Sequence, residues 1–330
     1  MKYTIILVAL FFWIEAGYAF FGSDKKYRKF KRGSMVIVMT VDWEGREISD
    51  KNLKAFSNFR KRYPGIPILQ FLNAAYYTKP NANAGEITRR INSVLRPHDE
   101  HGLHIHAWKT LVEASGVTFK TKPDLGGWGL RNCEWDCGHV ISLEAYTPNE
   151  MRKIIRKSVD ILTNQGFKKP KSFRAGAWQT GPNVKKALSA EGFYLDSSAT
   201  VPDFILPSWG RSSALVQSIV KLWPNMTVTK QPYLMNINPR PVWQLPDNGS
   251  LADYTTADTV MDVLKKNVDA FLERPKPSHW VVIGFHTETA ATYLPRIEHA
   301  IEKIIKYSKE KGVPIQFSHF PLKLREKFER

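Results

Sequence analysis

Two residue pairs in this chain have the composition and spacing of a metal site. His104 and His106 stand one residue apart in "GLHIHAW", and Asp42 and Glu44 repeat that spacing in "TVDWEG". On a strand, residues i and i+2 face the same side, so each pair would converge. Two imidazoles and one carboxylate form the ligand set of a catalytic zinc ion that keeps a position open to water. The same set also describes a non-haem iron triad. A metal lowers the pKa of its bound water towards neutrality, and the second carboxylate can complete the deprotonation. A further histidine, His286 in "IGFHTE", could then protonate a leaving amine. These parts suit metal-assisted hydrolysis of an amide or related bond. Taken singly, each residue has an ordinary reading: paired histidines satisfied by hydrogen bonds, or a core His286.

The elements that must position these residues alternate along the chain. Strand patterns lie at 35–41 (MVIVMTV), 66–73, 102–107, 171–175, 193–198, 241–246, 279–287 and 313–320. Helical patterns lie between them, at 49–63, 86–95, 182–192, 256–273 and 295–312. The sharpest helix signal is Thr147, Pro148 and Glu150, a capping box with proline at the first helical position, ended by Gly166. In 295–312 the residues Ile297, Ala300, Ile301, Ile304 and Ile305 form the expected apolar face. Two long excursions, 108–146 and 199–238, interrupt the pattern, and neither internal repeats nor a second domain is evident. The alternation predicts an α/β fold with a mostly parallel sheet, closed as a barrel or open. Five strand ends run into polar clusters: Asp42 to Glu44; His104 and His106; Arg174 and Trp178; Asp196 to Ser198; and His286 to Glu288. Active sites of α/β barrels sit at the carboxyl ends of the strands.

In this order, "TVDWEG", "LHIHAW", "SFRAGAW", "YLDSS" and "IGFHTETA" resemble the motifs of the polysaccharide deacetylases of NodB-homology type, carbohydrate esterase family 4. The resemblance spans nearly the whole chain after its first residues and is closest to the branch with an "LHLHPW"-like histidine motif. It implies a distorted (β/α) barrel, a single domain with two loop excursions, that removes N-acetyl or O-acetyl groups from a glycan. It further implies Asp42 as general base, paired with Arg174, and His286 as general acid, oriented by Asp196. One divalent metal, zinc by expectation, would be held by Glu44, His104 and His106. Trp178 and Trp43 would contact the sugar, and Asp247 and Asn248 in "QLPDNGSLADY" would line the groove. The family pattern has adjacent acids and histidines four apart, whereas here both pairs are two apart. The roles of Asp42 and Glu44 could therefore be exchanged, with His101 a spare ligand.

Residues 1–19 read as a signal peptide: a basic start at Lys2, an apolar run from 3 to 14, and Gly17 and Ala19 before the cut. Glu15 interrupts a run already short of the roughly 20 residues that span a bilayer. The expectation is a periplasmic or secreted protein without an integral membrane segment after cleavage. A basic linker at 20–34 would then lead into a catalytic domain at 35–330. The formal charge of +17 favours polyanions. For an exported protein that ranks an anionic cell-wall glycan, peptidoglycan by preference, above nucleic acid. The two cysteines, Cys133 and Cys137, are expected to form a local disulfide. Three rival readings stay open: a glycan-binding protein without turnover, an iron oxygenase, and a hydrolase of small cyclic amides.

Overall fold

The computed structural model describes residues 33–321 except 128, 129, 132 and 277. The signal segment 1–19, the linker up to residue 32 and the last nine residues therefore lie outside the described part. Nine strands form one sheet: β1 (Ser34–Asp42), β2 (Ile68–Asn73), β3 (Glu100–Ile105), β4 (Ser172–Ala175), β5 (Leu195–Asp196), β6 (Tyr233–Met235), β7 (Val242–Gln244), β8 (Ser278–His286) and β9 (Ile315–Phe317). The helices are α1 (Asp50–Arg62), α2 (Ala84–Asn92), α3 (Lys109–Ala114), α4 (Pro148–Asn164), α5 (Pro182–Ala190), α6 (Leu206–Trp209), α7 (Ala214–Leu222), α8 (Ala257–Glu273) and α9 (Ala290–Lys311).

The strand order is β6-β7-β5-β4-β3-β2-β1-β8, with β9 beside the first half of β1. Every pairing is parallel except β6 with β7. β1 is buried from its second residue to its last and apolar on both faces, as a parallel strand covered on both sides must be. The ends of this sheet are joined by the segment after β7. Asp247 N–H donates to Ala199 O (2.7 Å), Gly249 N–H to Val282 O (2.8 Å), and Gly284 N–H to Ser250 O (3.1 Å). A Cβ on Gly249 would lie 2.4 Å from Val282 O, so only glycine permits this closure. The result is a distorted (β/α) barrel.

Strand periodicity divides the core in two. Val38, Leu69, Phe71, Leu195, Leu245 and Val282 point inward, and Phe320 plugs the lower end against Trp243 and Trp280. The alternate residues point outward onto the helices and form the larger core. The capping box of α4 is present, with Pro148 at its start. α9 begins at Ala290, five residues before the expected start, and carries Pro295 internally, losing one hydrogen bond near its end. Ile305 is 41% exposed while Ile297, Ala300, Ile301 and Ile304 are buried. At 100° per residue Ile305 falls at the margin of their stripe. "FYLDSS" forms only the two-residue β5, and the second excursion holds the unforeseen β6 besides α6 and α7. No helix among the described residues is long and apolar enough to cross a membrane.

Candidate active site

Register places the chemistry at one end of the barrel. Asp42 pairs with His286 across β1 and β8, and Asn73, His104 and Arg174 align across β2, β3 and β4. These are inward positions, and Glu44 and His106 continue the same alternation just past their strands. Glu44 is fixed from both sides: its N–H donates to Glu288 Oε1 (3.1 Å) and its carbonyl accepts from Trp108 Nε1 (2.9 Å).

The Glu44 carboxylate lies between the two histidines, with Oε1 3.1 Å from His104 Nε2 and Oε2 3.0 Å from His106 Nε2. The donor atoms of Glu44, His104 and His106 all fall within 4.8 Å of one another, and those of Asp42, Glu44 and His286 do the same. The tautomers follow from the other ring nitrogens. His104 Nδ1 donates to Arg174 O (2.8 Å) and His106 Nδ1 to His139 O. A neutral ring that donates from Nδ1 presents a bare lone pair at Nε2. Two such lone pairs facing a carboxylate repel unless a cation or protons lie between them. His106 Nε2 is buried with no hydrogen-bond partner. The donor set fits a divalent cation, and carbonyl-oriented histidines are the usual support of one. Burial alone would raise the Glu44 carboxyl, but His106 and His286, whenever they carry protons, outweigh it and hold the carboxyl well below the ordinary range.

Asp42 accepts from Arg174 Nη1 (3.1 Å). The guanidinium is buried and held by Ser197 O and Oγ (2.9 Å each), Thr40 Oγ1 (3.0 Å) and the face of Phe71. The carboxylate on His286 is Asp253, with Oδ1 3.0 Å from Nδ1. Burial would lower the His286 pKa, but Asp253 and then Glu44 overcome it and push it up to about 10.

That arrangement corrects the expectation for Asp196. Leu195 and, just past β5, Ser197 face inward, so Asp196 points outward, where Ser198 Oγ and Thr180 Oγ1 donate to it. Burial there raises its carboxyl to about 7. Trp43 is corrected by the same alternation: it faces outward, fully buried, and donates to Gln70 Oε1 (3.0 Å). Asn248 is buried in the barrel closure, accepting from Val282 N–H (2.9 Å) and donating to Trp280 O (3.1 Å). Asp247 is also fully buried, and its contacts are Trp178 Nε1 (2.9 Å) and Arg174 Nη2 (3.6 Å). Neither can line a groove. His101 sits at the opposite end of β3, accepting from Lys168 N–H (3.0 Å), away from the cluster.

Trp178 does line the cleft, together with Arg46, His139, Trp209, Leu215 and Tyr254. Ala177 and Trp178 both have left-handed backbone (φ 52° and 57°), a costly conformation for two adjacent non-glycine residues that aims the indole. Gly176 packs on His106, where an added Cβ would lie 2.4 Å from Nδ1. Cys133 and Cys137 are joined in a disulfide. Sequence reasoning gave Asp253 and His139 no role in the site, and named Glu288 only as part of a polar strand end. Asp253 lies in the flagged "LADY" stretch, and Glu288 follows His286 by two.

No family model and no curated protein matches this sequence. Solved structures that it resembles include a candidate polysaccharide deacetylase from Mycobacterium smegmatis, with 13% identity, a TM-score of 0.49, and coverage of 87% of this chain and 94% of that one. Puue allantoinase is 15% identical, with a TM-score of 0.48 and 87% of each chain covered. A family 4 acetyl xylan esterase from Clostridium thermocellum, solved with a cobalt ion, is 15% identical, with a TM-score of 0.39 and coverage of 85% of this chain and 87% of that one.

Proposed function

We propose that this chain is a metal-dependent hydrolase that removes acetyl groups, N-acetyl by preference, from an acetylated glycan. The observation that carries the reading is the convergence of two bare imidazole nitrogens on the Glu44 carboxylate, with Asp42 and His286, paired across β1 and β8, beside it. Glu44, His104 and His106 would hold one divalent cation, and two histidines with one carboxylate suit zinc. Such a cation supplies positive charge to a carbonyl oxygen and acidity to water.

The chain's own residues divide the remaining work. Asp42, aimed by Arg174, accepts the proton of the attacking water. That geometry favours Asp42 as base and Glu44 as ligand over the exchanged roles. His286, kept protonated by Asp253, donates to the leaving nitrogen as the tetrahedral adduct collapses. A proton acceptor and a proton donor, side by side at the ends of β1 and β8, are the pair an amide hydrolysis needs. Trp178 offers an apolar wall for a sugar face. The +17 charge suits an anionic cell-envelope polymer such as peptidoglycan, met in the periplasm or outside the cell.

The test is acetate release from purified peptidoglycan and chitin oligomers, with metal determined on the same sample. Acetate together with about one metal ion per chain is expected. Bound metal without acetate from any acetylated glycan would refute glycan deacetylation, and turnover of a ureide or imide instead would assign the cleft to small cyclic amides.

A further inference from the structure

We propose that Trp135 is an outlying sugar-stacking subsite, so that the chain acts on a glycan extending past the reacting sugar towards the 133–137 loop. This rests on the glycan reading above. Trp135 is 71% exposed, the most open large apolar side chain among the described residues. So open an indole keeps a face free for a ligand.

The loop that carries it is built to stay still. The bonded Cys133 and Cys137 bring their Cα atoms to 4.6 Å. Between them Asp136 accepts from Thr110 N–H (3.2 Å), Thr110 Oγ1 (2.7 Å) and Lys79 Nζ (3.1 Å), and Cys137 O accepts from Lys109 N–H (2.8 Å). A crosslink over so few residues adds little to the whole fold, because loop-closure entropy grows with the length enclosed. Its effect is local: it fixes the tip that bears Trp135.

The loop's other end enters the cleft. His139 and Val140 are part of the lining, and His139 O orients His106. Trp135 is not part of that lining and stands four residues away, at most about 14 Å of chain. A ligand touching both must be longer than the group held at the cluster. An indole covers the C–H face of a pyranose, and with only two side-chain torsions it loses little entropy in doing so. The pre-ordered loop reduces that loss further.

The test compares the shortest N-acetylglucosamine oligomer that the wild type turns over with the hexamer, by acetate release and by calorimetric binding. Trp135→Ala should raise the hexamer's KM and Kd about tenfold, equal to about 1.4 kcal/mol, while kcat and the short oligomer's constants stay put. Trp135→Phe should recover most of the loss. Replacing both cysteines with serine should cost the same increment and add nothing on top of Trp135→Ala. Unchanged hexamer constants in Trp135→Ala, or equal losses for both lengths, overturn the subsite while leaving the glycan reading intact. A wild type that neither binds nor deacetylates the hexamer overturns the subsite, and one that also releases no acetate from peptidoglycan overturns both. Metal content and Tm, measured on each variant, verify that the cleft itself is intact.

Discussion

Replacing Asp253 with Asn should move the alkaline limb of activity without moving its acidic limb. In the wild type, Asp253 and Glu44 together lift His286 from its ordinary 6.5 to about 10, against the opposing effect of burial. A bound cation would offset the Glu44 charge, which leaves Asp253 as the group that keeps the imidazolium protonated. Asparagine preserves the shape and an acceptor oxygen but removes the charge. If the pKa then returns to the ordinary value, the protonated fraction at about pH 8 falls from nearly all to roughly 3%, a loss of about thirtyfold in kcat/KM. The loss should largely disappear below about pH 6, where even an ordinary histidine is charged. The assay is acetate release across the pH range, with metal content checked at each point. A uniform loss at every pH would mean that Asp253 acts only on geometry, and an unmoved alkaline limb would mean that His286 is not the acid. Stability gives the same sign. A histidine whose pKa is raised on folding contributes stability that is fully present below 6.5 and lost as pH rises through about 10. Wild-type Tm should therefore fall more steeply than that of Asp253→Asn over that window.

His104→Ala and His106→Ala should each lose metal and activity together, whereas His286→Ala should keep its metal and lose turnover; equal metal loss in all three would refute the division of roles. Gly176→Ala should displace the His106 ring, because its Cβ would fall 2.4 Å from Nδ1, and metal affinity measured by chelator competition should drop at least about tenfold. Asp196→Asn, on the outward face, should leave the pH profile of activity in place, and a shift of its alkaline limb would restore Asp196 as the partner of His286.

The sequence made the Asp42–Glu44 and His104–His106 pairs legible because each starts on one strand and continues its alternation, which decides which way a side chain points. That rule brings Asp42 and Glu44 inward together, and likewise His104 and His106. It also turns Trp43 outward, so the groove role expected for that residue was already at odds with the spacing of its neighbours. Asp196 was harder. Its direction depends on its alignment with the outward-facing Phe173 of β4, and cross-strand register is not written in one strand's pattern. Asp253 was harder still, since it reaches His286 from a short turn after the barrel closure, where no periodicity applies. Asn248 and Asp247 look like polar loop residues in the sequence. The closure buries them, and burial obliges them to satisfy backbone and arginine donors instead of a ligand.

The two spacings that depart from the family pattern make sense as one arrangement. Histidines two apart on a strand stand side by side, and their rings, 4.9 Å between centroids and nearly perpendicular, both tilt towards the same point. An inward carboxylate cannot come from the position next to Asp42, which faces outward as Trp43 does. Glu44 supplies it from one residue further along with one more methylene, and its backbone is pinned by Glu288 and Trp108 so that the longer side chain does not wander. Asp42 is thereby left beside Arg174, on the strand itself, at the height of His286. A change in the histidine spacing alone would leave a ligand without its partners. Changed together with the acid, it brings the Glu44, His104 and His106 donor atoms within 4.8 Å of one another and leaves Asp42 and His286 beside them.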